Sequence, residues 1–183
     1  MSEPTIKKPR KNSRSKGSGF EGKIAKALSA ALPLTFIRSP GSGARVGGQN
    51  FEKFGAMFGA DAMKLFVADV VPTNERDTGF SFKWSVECKF YATVDTFNHL
   101  FAGTSNIYKW FEESVTDSAK VGKKPILIWK WNHSPIYVAI EDTGEFDIQP
   151  QFKIHQAQSP RPLAIYAFDE LLKNPDFWVE KFE

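Results

Sequence analysis

Asp69 is the one charged residue in the apolar run Leu65-Phe66-Val67-Ala68-Asp69-Val70-Val71. A run this apolar reads as a strand buried on both faces. A carboxylate there loses hydration, so it requires a cation, a hydrogen-bond donor or a raised pKa. The plainer reading is an acid at a strand end that reaches water or caps a turn. Glu87 and Lys89 lie two residues apart in a segment where Phe80, Phe82, Trp84, Val86, Cys88 and Phe90 alternate with polar residues. Side chains at i and i+2 leave a strand on the same side, so the acid and the lysine share the polar face. By itself this pair reads as a solvated ion pair worth little.

Taken together, these residues suit different chemistry. A strand with Asp69, a turn over 72–79 and a strand with Glu87-Cys88-Lys89 make a hairpin that brings two carboxylates together. Two such charges repel and call for something positive between them. Magnesium takes hard oxygen ligands, few of them carboxylates and the rest water or phosphate oxygens. A neighbouring lysine can orient or deprotonate a water, or neutralise charge as a phosphodiester is attacked. The set suits metal-assisted phosphodiester hydrolysis. Glu21 is its fourth member. It lies at the edge of an apolar helical stripe with Ala25, Leu28 and Leu32, from which an acid could reach inward. The competing reading makes Glu21 the third position of a capping box begun by Ser18.

The elements that must position these residues follow from periodicity. Phe20, Ile24, Leu28 and Ala31 recur at helical spacing from a start near Ser18, and Pro33 ends that helix. Strands are expected over 34–37, 65–71, 80–90, 126–131 and 136–140. Helices are expected over 107–120 and, as one or two short pieces, over 167–182. Residues 51–58 could make a short helix, and 141–162 read as irregular. The order of elements gives an α/β fold with a mixed central β-sheet flanked by helices.

The chain has 183 residues, 42% of them hydrophobic and 25% charged, which suits a single folded domain. Its organisation reads as a basic arm over 1–16 and a domain over 17–183, with a core at 17–140 and an extension at 141–183. The net charge is only +3. The arm, however, sets Lys7, Lys8, Arg10, Lys11, Arg14 and Lys16 against Glu3 alone, a pattern suited to nucleic-acid phosphates or to a merely solubilising tail. Cys88 is the single cysteine, so no intrachain disulfide forms and a reducing compartment fits. No apolar run approaches the ~20 residues that span a bilayer. The expected location is cytoplasmic, the host cytoplasm for a viral protein. His99, His133 and His155 show no metal-ligand spacing. Gly41-x-Gly43 lacks the ending of a phosphate loop, and Ser42 lacks the flanks of a hydrolase elbow.

Three stretches resemble the archaeal-type Holliday junction resolvases, a branch of the PD-(D/E)XK nuclease superfamily. They are Lys16-Gly17-Ser18-Gly19-Phe20-Glu21, then Phe36-Ile37-Arg38-Ser39-Pro40-Gly41-Ser42-Gly43, then Ala68-Asp69-Val70-Val71 with Val86-Glu87-Cys88-Lys89-Phe90. Ala68 stands where the superfamily's name has Pro. The resemblance covers roughly residues 16–131 and implies a restriction-endonuclease-like core. It further implies that Asp69, Glu87 and the backbone carbonyl of Cys88 bind Mg2+, for which Mn2+ can substitute, with Glu21 at the metal directly or through water. Lys89 would handle the attacking water and Ser42 would lie near the scissile phosphate. Arg38, Ser42, Arg45, Lys16, Arg14 and Lys11 are the candidate DNA contacts. Relatives of this kind act as homodimers on four-way DNA junctions. Phe97, Leu100, Phe101 and Trp110 are the aromatic and aliphatic candidates for a dimer contact.

Two alternatives stay open on the sequence. One is a restriction-type or DNA-degrading phage-type nuclease on the same core, since fold likeness does not settle substrate. The other is a DNA-binding module without catalysis.

Overall fold

The apolar stripe headed by Phe20 does form a helix, but it starts earlier than its capping signal. In the computed structural model, which describes residues 13–39, 67–102, 104–155 and 161–182, helix α1 spans Ser13–Ala31. Ser18 is therefore interior and its hydroxyl donates to the Ser15 carbonyl at 3.3 Å. The capping box is not made. Four of the residues assigned to the arm, 13–16, are helical.

Along the chain, α1 is followed by β1 (Phe36–Arg38), β2 (Val70–Pro72), α2 (Glu75–Thr78), β3 (Phe80–Phe82) and β4 (Trp84–Tyr91). Next come α3 (Phe97–Phe101), α4 (Asn106–Ala119), β5 (Lys124–Trp131) and β6 (Tyr137–Glu141). The last elements are β7 (Phe152–Ile154), β8 (Leu163–Ala167), α5 (Phe168–Leu171), α6 (Pro175–Trp178) and β9 (Val179–Lys181). The main sheet has seven strands in the order β1-β2-β4-β5-β6-β8-β7, and β3 pairs with β9 in a second, two-stranded sheet. In the main sheet β4 and β5 run parallel while the other neighbours run antiparallel. This is the expected mixed α/β architecture.

The sheet separates two cores. On one face Val86, Cys88, Ile126, Ile128, Val138 and Ile140 meet Phe20, Ile24 and Leu28 of α1. On the other, Leu127, Trp129, Ala139 and Ile165 meet Ile107, Tyr108, Trp110 and Phe111 of α4. Ser105 starts α4 cleanly, its hydroxyl accepting from the Ile107 amide at 3.2 Å. Trp129 and Trp131 are core residues, as their alternation in a strand suggests, and not an exposed stacking platform. Trp110 is buried too, its ring 4.6 Å from that of Tyr91, so it is no exposed dimer contact.

Three strand expectations need correction. The alternation over 80–90 is one run in sequence but two strands in space. At Lys83 the backbone leaves one sheet for the other, its amide donating to the Trp178 carbonyl and its own carbonyl accepting from the Lys124 amide, both at 3.0 Å. The apolar run around Asp69 enters the sheet only at Val70, and the first two residues of the expected strand lie outside the described region, as does the possible helix over 51–58. The tail end is not merely irregular and helical. Residues 141–183 supply β7 and β8 to the main sheet and β9 to the small one.

Candidate active site

Strand β4 carries the centre of the site. Its Trp84, Val86 and Cys88 are committed to the α1 core, which turns Glu87 and Lys89 to the opposite side, where α4 lies. The two are bonded to each other, Lys89 Nζ lying 2.8 Å from Glu87 Oε1. Lys89 has a second partner on α4, Glu113, at 3.1 Å.

Asp69 arrives from the neighbouring strand. Val70 sits opposite Val86 in antiparallel register. The Asp69 amide donates to the Val86 carbonyl at 2.8 Å, and its carbonyl accepts from the Ser39 amide at 2.9 Å. The buried side chain of Asp69 then accepts from the Cys88 amide through Oδ2 at 2.8 Å. The two acid-bearing segments pair as expected, but not as a tight hairpin, because α2 and β3 intervene. Glu21 approaches from α1, where its carboxylate forms an ion pair with the guanidinium of Arg38 on β1.

The electrostatics show an excess of negative charge at one spot. Glu87 is pushed from an ordinary 4.5 up to about 7, first by burial and then by the charge of Asp69, with Asp117 adding to the effect. Lys89 opposes this without cancelling it. Burial would by itself lower the affinity of Lys89 for its proton, but Glu87 and Glu113 outweigh that and raise it. The Cys88 thiol is pushed well up by burial and then by Asp69, Glu87 and Glu21, so all three acids act on one point. Two neighbouring carboxylates that raise each other's cost of ionisation suit a divalent cation. Among the described residues no three acidic, histidine or cysteine groups form a ready cage. The oxygen donors shown side by side are those of Asp69 and Glu87, of a type that suits a hard divalent cation.

Asp69, Glu87 and Lys89 are thus brought together across β2 and β4, while Glu21, on α1, is paired with Arg38 and reaches the same strand only through its charge on Cys88. Lys16 lies in the first turns of α1 and is half-buried. Arg14 is also within α1, its side chain outside the described residues, and Lys11, Ser42 and Arg45 lie outside them altogether. Glu113 is the residue that sequence reasoning does not find. A signal for it exists: a helix laid over β4 must turn some flank toward Lys89, and Glu113 is an acid on that helix. A cavity of about 740 Å3 opens elsewhere on the α4 face, with Tyr108, Trp129, Trp131 and Tyr137 in its walls. None of the four catalytic candidates lines it, so its size does not make it the reaction site. A smaller one of about 450 Å3 touches Ala68 and Val70, the residues on either side of Asp69.

Residues 12–161 match the model of a family described as "Phage putative PDDEXK endonuclease". The chain belongs to this family. A PDDEXK nuclease is what the paired carboxylates and their lysine describe in chemical terms, and this family as a class uses divalent metal. The match reaches the superfamily named on the motifs, but not the archaeal junction-resolvase branch of it. Comparisons with curated proteins and with solved structures give no match. Among the described residues no helix is long and apolar enough to cross a membrane.

Proposed function

We propose that this PDDEXK nuclease is a magnesium-dependent endonuclease that cuts branched DNA, with a four-way junction as its substrate and a homodimer as its working form in the cytoplasm. The observation that carries the catalytic part is the juxtaposition of Asp69 with Glu87 and Lys89 across β2 and β4. The substrate part rests on the resemblance of the three motif stretches to the junction resolvases.

In this reading Asp69 and Glu87 hold the divalent cation, helped by the Cys88 carbonyl and, directly or through water, by Glu21. Bound there, Mg2+, or Mn2+ in its place, supplies charge stabilisation for the phosphoryl oxygens and a more acidic water. Lys89 donates hydrogen bonds to the attacking water and offsets charge on the phosphate. Arg38, Lys16, Arg14, Lys11 and Arg45 contact DNA, and Ser42 lies near the scissile phosphate.

Membership in a phage family favours a second reading, a DNA-degrading or restriction-type nuclease on the same core. Matched four-way junction and linear duplex, each with magnesium and with EDTA, separate the two. Paired cuts in the junction only, dependent on magnesium and lost in Asp69→Ala, are the expected result. Equal or better cutting of duplex would replace it with the second reading.

A further inference from the structure

Lys89 is gripped from two sides. Glu87, two residues away on β4, holds Nζ at 2.8 Å, and Glu113 on α4 holds it at 3.1 Å. The other two acids nearby on that helix already have basic partners, Glu112 with Arg161 and Asp117 with Lys120. The side chain of Glu113 is 46% exposed, but its helix is anchored close by. Glu113 lies one turn beyond Trp110, whose buried ring packs against Tyr91, two residues beyond Lys89 on β4. Trp110 with Tyr91 and Glu113 with Lys89 are thus two rungs joining the same helix to the same strand.

The Glu87 carboxylate has two claims on it in the function proposed above. It is bonded to an ammonium, and it must face a divalent cation. A cation at Glu87 repels that ammonium, and a lysine with a long flexible stem would swing into solvent unless a second acceptor kept it. We propose that Glu113 is a positioning residue that retains Lys89 at the site when Glu87 turns to the metal. This rests on the reading of Glu87 as a metal ligand and Lys89 as the residue that orients the attacking water. Glu113 itself touches neither metal nor substrate.

The test uses the full chain, with Glu113→Gln, Glu113→Asp, Glu112→Gln and Glu87→Ala beside the wild type. Cleavage kinetics are read on whichever DNA the wild type cuts, and Mn2+ affinity is read by calorimetry without DNA. Glu113→Gln is expected to lower kcat by about 10- to 100-fold, the scale of misplacing a group at the reaction centre, while KM stays nearly constant and Mn2+ binding is not weakened. Glu113→Asp recovers part of the loss in kcat, and Glu112→Gln leaves kcat unchanged. An unchanged kcat in Glu113→Gln, with Glu87→Ala inactive, would overturn the positioning role and leave the nuclease reading standing. The positioning role is likewise overturned if Glu113→Gln lowers only the melting temperature. A wild type that neither cuts DNA nor binds Mn2+ would overturn both.

Discussion

The amide of Cys88 donates to the carboxylate of Asp69 at 2.8 Å across 19 residues of chain. The acid that precedes β2 is thereby fixed against the middle of β4, one residue from Glu87 and one from Lys89. A buried carboxylate with such a donor is aligned before any cation arrives, which limits what binding must reorganise. Asp69→Asn keeps the shape and an oxygen to accept from Cys88, so the fold is expected to survive. Cleavage is expected to fall by about 100-fold or more, the scale of losing a principal charge-stabilising group, while DNA affinity is kept. Circular dichroism, a binding titration and a cleavage assay on one preparation check this. Wild-type turnover by Asp69→Asn would remove Asp69 from the metal site.

The titration of Glu87 sets a pH dependence with a definite sign. Its folded value of about 7 lies above the ordinary 4.5. Below about pH 4.5 the group is protonated in both folded and unfolded chains and costs nothing. Between the two values the folded protein binds the extra proton, so stability falls as pH rises, by about 3 kcal/mol in all. Above about pH 7 the folded state carries the full burden of a buried charge beside Asp69. Glu87→Gln is therefore expected to melt higher than wild type at about pH 8 in EDTA, by about 2–4 °C for each kcal/mol relieved, with the gap closing as the pH falls to the ordinary carboxylate range. Added Mg2+ should raise the wild-type midpoint under the same alkaline conditions and leave the variant's unchanged. A variant that melts below wild type there in EDTA would contradict the raised Glu87 pKa.

The parts of this site written in local pattern are readable from sequence. Asp69 stands out because a lone acid in an apolar run demands a partner, and Glu87 with Lys89 because period-two alternation fixes a shared face. Glu113 does not stand out, since an acid on a helix surface looks the same whether it faces water or a lysine on a strand. The start of α1 is misplaced by pattern because Ser18 and Glu21 satisfy a four-residue signal that cannot see the helical turns before it. The break at Lys83 is invisible for a related reason: side chains keep alternating through the bend while the backbone changes partners. Strands β7 and β9 are three residues each, too short for any period to show. Trp110 reads as an exposed aromatic because the sheet that covers it is assembled from distant segments.

Arg38 and Glu21 form an ion pair that bears on DNA affinity. Arg38 is 42% exposed and Glu21 13%, so the acid is largely covered while the guanidinium reaches the surface. In this state part of the arginine's charge is already neutralised. Glu21→Gln releases it, and the variant is expected to bind DNA more tightly at low salt while cutting more slowly. Arg38→Ala should lose affinity and lower the slope of log K against log salt by about 1, the signature of one phosphate contact. Weaker DNA binding by Glu21→Gln would mean that Glu21 orients Arg38 for DNA and does not compete with it.

The segment around Trp178 holds up the strand that bears Glu87 and Lys89. Trp178 is fully buried, its ring lies nearly parallel to that of Phe82 with centroids 6.3 Å apart, and its Nε1 donates to the Leu171 carbonyl at 2.9 Å. One residue earlier, the Phe177 carbonyl accepts from Nε1 of Trp84, the first residue of β4. The segment thus both fills the α1-side core and pins the start of the catalytic strand. Trp178→Ala is expected to cost about 3–5 kcal/mol, as for other large aromatic truncations in a core, and with it a large share of a typical domain's stability. Trp178→Phe keeps most of the packing but drops the indole hydrogen bond; the Leu171 carbonyl still accepts from the Asn174 amide at 3.0 Å, so the bond's loss should cost only about 0.5–1.5 kcal/mol. Denaturant unfolding of both variants gives the two numbers. A chain ending at residue 174 should fail to fold, because it also lacks β9 and exposes Phe82 and Trp84. A soluble, cooperatively melting 1–174 fragment with nuclease activity would show that β4 is held in place without this support.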